Sequence, residues 1–225
     1  MKTSKIALYC YFVSCFLAII ADIFKFDGLM LFTKPLIIPS LFFYYFTETK
    51  KVNVLICLFL FSNFIGDSIG LMNFENELYY IIPPFFMSIL FMIIIMIKNI
   101  ENFKFNFFNI LSLTIIASFL TYILSLFLEL FSLEDRNIQI QVGVFGFILI
   151  IFALLASYNI IWKINTSNLY LMMCASCVLI SDVFYLIFNF QNQLLILDFI
   201  HFGCQLISYF FFIKYFLIRE YQLIT

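Results

Sequence analysis

Charge is scarce in this chain. Of its 225 residues only 11% are Asp, Glu, Lys or Arg, against about a quarter in an ordinary soluble domain. The 12 basic and 13 acidic residues nearly cancel, and with no basic patch no nucleic-acid partner is expected. Histidine occurs once, as His201. One imidazole cannot build the usual three- or four-ligand zinc site without help from acids. Glycine-rich phosphate loops, a nucleophile elbow, an HExxH pair and metal-cluster spacings are all missing, which leaves serine, thiol and metal hydrolase chemistry without support. No cofactor and no metal are expected.

Apolar residues, at 65%, fill the space that charge vacates. A membrane-spanning helix needs about 20 apolar residues at 1.5 Å rise each. Eight such stretches are present, at about residues 6–24, 29–46, 52–72, 79–97, 106–128, 140–161, 169–189 and 194–216. The joints between them are too short for another domain. The expected fold is therefore all-α, a polytopic membrane bundle of about eight transmembrane helices forming a single domain over residues 1–225. The first stretch follows a basic start, but it is long for a signal sequence and no cleavage site follows, so it is read as the first helix.

With eight spans both termini share a side. That side receives Lys2, Lys5, Lys50, Lys51, Lys98, Lys104, Lys163, Lys214 and Arg219, and the other receives only Lys25 and Arg136. The positive-inside rule then puts both termini in the cytoplasm, as expected for a multi-pass protein of a bacterial inner membrane. Tyr44, Tyr45, Tyr79 and Tyr80 stand near span ends and read as interfacial belt residues. The six cysteines, including the Cys174 and Cys177 pair, read as small apolar filler within spans.

Two carboxylates interrupt the apolar runs. Asp67 falls about fifteen residues into the third span and Asp182 about thirteen into the seventh, so both sit ~20 Å from the cytoplasmic edge. A carboxylate at the centre of a membrane helix costs roughly 2.5–3.5 kcal/mol, which requires a polar partner or a wet cavity. Lys34, His201 and Gln205 fall in the same outer slab. Asn63 precedes Asp67 by one turn, and Ser181 precedes Asp182 directly. Asp182, Tyr185 and Asn189, and likewise Asp198, His201 and Gln205, form stripes at helical spacing. Ser62, Gly66 and Gly70 form a ridge of small residues that lets a neighbouring helix approach Asp67. Pro35 and Pro39 should kink the second helix. A short likeness between residues 64–69 and 179–184 suggests two four-helix halves in the same orientation.

Thr33, Lys34 and Pro35, Gly66 and Asp67, Ser181 and Asp182, and the stretch around Gln205 resemble the YhhN family of eight-helix membrane proteins, whose characterised members are lysoplasmalogenases. The resemblance spans nearly the whole chain in order and spacing. It implies Asp67 and Asp182 as the catalytic acids, and Lys34, Asn63, Ser181, His201 and Gln205 as groups that bind substrate or orient water. The substrate would be a lysophospholipid with a vinyl ether bond, drawn from membrane lipids. The chain departs from the family pattern at Ser88, where a histidine is usual, and His201 stands near the place of an expected tyrosine. Two other readings suit the residues: a proton-coupled small-molecule carrier with the acids as a relay, and a non-catalytic lipid-binding module.

Overall fold

In hydrocarbon every backbone N–H and C=O must be satisfied within its own segment, so long apolar runs separated by short polar joints fold as helices. The structure is a computed structural model that describes residues 2–49, 51–72, 77–100, 106–131, 136–190 and 194–224. Among them every regular element is helical: α1 (Lys2–Ile23), α2 (Asp27–Glu48), α3 (Val54–Gly70), α4 (Glu77–Asn99), α5 (Phe107–Phe131), α6 (Arg136–Trp162), α7 (Thr166–Phe190) and α8 (Leu195–Ile224). Seven are long and apolar enough to cross a membrane, and α3, with 17 residues, is a shorter apolar helix. Each falls on one of the eight apolar stretches, and α8 runs eight residues past its expected end. Lys50 and Lys104, two of the charges behind the expected orientation, lie outside the described residues.

Among the described residues, consecutive helices pack against one another within α1–α4 and within α5–α8, but α4 and α5 do not. Thr49, just after α2, donates to the Glu220 carboxylate of α8 at 2.9 Å, and Arg219 donates to the Asn99 carbonyl of α4 at 2.7 Å, so α2, α4 and α8 end together. At the opposite end Lys25 reaches Asp22 and Asp198 at 3.3 Å each. Partial burial alone would lower the Lys25 ammonium, but the two carboxylates outweigh it and hold the pKa above the usual lysine range. Lys25 also adopts a left-handed backbone with φ 53°, which terminates α1 and brings the Phe26 N–H onto the Ala21 carbonyl at 2.8 Å.

The same packing order appears in both halves. Helices α1–α4 associate in sequence, as do α5–α8, and α2–α8 and α4–α6 are equivalent contacts between the halves if α1 corresponds to α5. This is the arrangement expected of two halves related by an axis along the membrane normal. One contact breaks the correspondence. Helix α1 packs against α8, sealed where Tyr11 donates to the Leu206 carbonyl and its ring stacks near Phe210. Its counterpart α5 packs chiefly against α6, and none of residues 107–129 is fully buried.

The core is aromatic and aliphatic, with Tyr45, Phe59, Phe152, Phe212 and Tyr215 almost wholly enclosed. Tyr44 and Tyr45 are thus buried rather than interfacial. Tyr45 accepts the Asn53 N–H at 2.7 Å, which ties the α2–α3 joint to the core and gives its hydroxyl a partner inside the protein. Helix α2 remains one element across Pro35 and Pro39. Phe32, Phe107 and Phe108 lie on the outer surface, as befits a protein solvated by lipid.

Close approach between α5 and α6 rests on glycine. A Cβ on Gly146 would collide with Leu124 Cδ1, and one on Gly143 would stand 3.4 Å from Leu128 Cδ2. Gly146→Val should therefore lower stability by about 1–3 kcal/mol through overpacking. Thermal unfolding in detergent checks this, and an unchanged midpoint would show that α5 is not seated on this glycine.

Candidate functional site

The absence of an α5–α4 seal leaves a cavity of about 540 Å³ lined by residues of α2–α8. All seven residues nominated from sequence line it: Lys34, Asn63, Asp67, Ser181, Asp182, His201 and Gln205. Its lining is otherwise mostly apolar. The charged groups sit toward the end of the bundle where α1 meets α2 and α7 meets α8.

Asp67 is buried at 4% exposure and is the most fully partnered group. Gln205 Nε2 donates to its Oδ1 at 3.1 Å and to Tyr209 Oη at 2.9 Å. Tyr209 Oη in turn stands 3.4 and 3.3 Å from the two Asp67 oxygens and donates to the carboxylate. Gln205 and Tyr209 are one turn apart on α8, so a single helical face presents two donors to one carboxylate. Gly66 makes room beside it. A Cβ there would lie 2.9 Å from the Phe85 ring of α4, so the small-residue ridge does permit a close helix approach.

Asp182 faces the same cavity from α7 in different surroundings. Its Oδ2 is shut off from solvent, and none of the described residues gives it a hydrogen bond. The two carboxylates are not hydrogen-bonded to one another. What distinguishes them is therefore their separate environments rather than direct repulsion across a shared proton.

His201 and Ser181 clasp α8 to α7. His201 Nδ1 lies 2.9 Å from Ser181 Oγ and 3.0 Å from the Ser181 carbonyl, so either tautomer occupies this nitrogen. Its Nε2 makes no hydrogen bond among the described residues. The Tyr185 ring packs against the imidazole at a 45° tilt with centroids 4.8 Å apart. Asn63 gives both amide hydrogens away, to the Phe59 carbonyl at 2.8 Å and to Ser88 Oγ at 2.7 Å, which leaves its Oδ1 for any ligand. Lys34 Nζ lies 5.2 Å from the Phe202 ring centroid, a cation–π geometry. It forms no ion pair with the described residues.

Among the cavity residues not nominated from sequence, Glu77 and Tyr209 stand beside the nominated groups. Glu77 opens α4, and a Cβ on Gly70 would meet its Oε1 at 3.2 Å and Lys34 Nζ at 3.7 Å, so opposite charges flank this glycine. The residue precedes the apolar run that marks the fourth span, and only that position hid it. Tyr209 was legible as the next turn of the Gln205 stripe. It, rather than His201, supplies the phenol beside Gln205. Two stripe members turn elsewhere: Asp198 pairs with Lys25, and Asn189 is exposed with its amide on the Tyr185 carbonyl.

Compared with known proteins, the chain matches no family model, no curated protein and no solved structure. Tyr209→Phe removes one of the two donors to a buried carboxylate. It should destabilise the protein by about 1–3 kcal/mol, read as a lower thermal midpoint with unchanged helix content by circular dichroism.

Proposed function

We propose that this cavity is the active site of a membrane hydrolase that cleaves the vinyl ether bond of a lysoplasmalogen-type lysolipid, in the manner of the YhhN family. The observation that carries the reading is the pairing of two carboxylates in one apolar cavity. One is held by side-chain donors and the other has an unpartnered oxygen.

The reaction asks for those two environments. A vinyl ether is activated by protonating its outer alkene carbon, which leaves an oxocarbenium ion. Water then adds, loses a proton, and the hemiacetal collapses to a fatty aldehyde and a glycerophospho-base. No metal or covalent nucleophile is required. A carboxylate oxygen buried without a donor is costly in the anion, which suits Asp182 to carry the proton and deliver it. Asp67, held as an acceptor by Gln205 and Tyr209, suits the role of the base that stabilises the cation and takes the proton of the attacking water. Lys34 supplies the positive charge for the lipid phosphate. His201 Nε2 and Asn63 Oδ1 offer the remaining polar contacts, with Ser181 fixing the imidazole.

Ser88, where the family usually has histidine, is engaged with Asn63 and keeps that amide in place. In this reading no residue takes over the missing imidazole by position, and His201 provides one from α8 instead. The positive-inside asymmetry supports an orientation with both termini in the cytoplasm and the site in the outer half of the bilayer, which suits a bacterial inner membrane.

The decisive measurement is aldehyde release from a lysoplasmalogen by purified protein, followed with a coupled dehydrogenase. Activity should fall about 10²–10⁴-fold in both Asp67→Asn and Asp182→Asn, the range for loss of a general acid or base. No aldehyde from the intact protein would sink the hydrolase reading. Full activity in either variant would sink the assigned chemistry alone. Proton-gradient-dependent uptake into proteoliposomes without aldehyde release would identify a carrier.

A further inference from the structure

A second, smaller cavity adjoins the first. It measures about 250 Å³ and is almost entirely apolar, lined by Ile115 and Ile116 of α5, Ala153 and Ser157 of α6, and Met172 and Ala175 of α7. Phe119, Leu120, Ser176 and Leu179 line both cavities and so mark the junction. Helix α6 forms the floor, while α5 and α7 form the walls.

The direction of this passage follows from the helices themselves. On α7 it leads from Asp182 back to Met172, ten residues or ~15 Å along the axis. On α5 it leads from Phe127 back to Ile115, and on the antiparallel α6 forward from Val142 to Ser157. All three progressions agree. The polar groups lie at one end of the bundle, and the apolar passage runs parallel to the helix axes toward the other.

We propose that this passage holds the single hydrocarbon chain of the lysolipid, and that Phe119, Leu120, Ser176 and Leu179 set the chain length the protein accepts. The proposal rests on the lysolipid reading of the polar end and adds the path of the tail. The occupant is argued from the shared lining, from an apolar bore that begins at a charged chamber, and from its alignment with the membrane normal. A lipid so placed has its head at the end where α1 meets α2 and α7 meets α8. That is the orientation it already holds in the adjoining leaflet, so it moves sideways past α5 without turning over. Helix α5 suits such an entry because it is seated mainly on α6 and buries none of residues 107–129 fully.

The test uses the full chain in lipid nanodiscs with an ester-linked stearoyl lysophosphatidylethanolamine bearing a diazirine at the chain end. After irradiation, peptide mapping should find adducts within residues 115–120 and 172–179, suppressed by excess unlabelled lysolipid. Adducts confined to other segments would overturn the proposal. So would labelling that excess lysolipid leaves unchanged, since that reports bulk bilayer contact. In Ser176→Phe, which fills the junction, suppressible labelling by the stearoyl probe should drop about tenfold or more, while an octanoyl probe keeps its labelling near residues 119–127. Equal loss for both chain lengths would remove Ser176 from the chain path. Should that variant not fold, mapping on the unaltered protein decides alone. The probe has no vinyl ether, so the outcomes separate. Labelling without aldehyde release keeps the tail site and loses the reaction, and the reverse keeps the reaction and loses the tail site.

Discussion

A carboxylate inside a lipid-solvated bundle cannot be left to itself, and the arrangement of α3, α7 and α8 follows from that constraint. Unpaired in hydrocarbon, the anion faces a penalty of several kcal/mol even on the mildest scales. At Asp67 the solution is a fixed pair of donors, Gln205 and Tyr209, on one face of α8. For them to reach, this face of α8 must be turned toward α3, and the small residues of α3 let α4 close in on the other side at Gly66. The polar contact thus sets the register of three helices. The apolar core then packs around it, with Phe59 lying against both Tyr209 and Phe212.

Asp182 answers the same constraint differently. Its neighbour Ser181 is turned to His201, which joins α7 to α8, while Asp182 itself keeps one oxygen without a donor. Helix packing is therefore secured by the residue beside the acid and not by the acid. A group that stability does not employ is free for chemistry, whereas Asp67 is held by both demands. The difference between the two aspartates is one of surroundings, which no like-charge argument between them would supply.

Much of this architecture was legible in the sequence because membrane insertion leaves few alternatives. Apolar runs of the right length located all eight helices, and depth counting brought residues from α2, α3, α7 and α8 to one cavity. What depth and helical phase cannot reveal is direction around a bundle. Asp198 shares its stripe with His201 yet turns toward Lys25, because the α1–α2 joint brings a cation to that edge. Tyr44 and Tyr45 stand near a span end and would suit an interface, but the Asn53 backbone N–H gives Tyr45 a partner inside the protein. Glu77 escaped notice because an apolar run defines a helix by its middle, while a charged first turn belongs to it as well.

The cavity itself owes its existence to an inequality between two similar halves. In the first, α1 closes on α8 and the interface is sealed by Tyr11; in the second, α5 stays seated on α6. Had α5 closed on α4, Phe119, Leu120 and Leu124 would meet Ile82, Phe85 and Ile89 in a continuous apolar core, and the aspartates would face no open space. A scaffold whose two halves pack in the same order can thus use one interface for stability and leave its counterpart open for a ligand. Gly143 and Gly146 are what make this possible. By letting Leu124 and Leu128 settle deeply onto α6, they give α5 a firm seat on one side and leave its other side to the cavity.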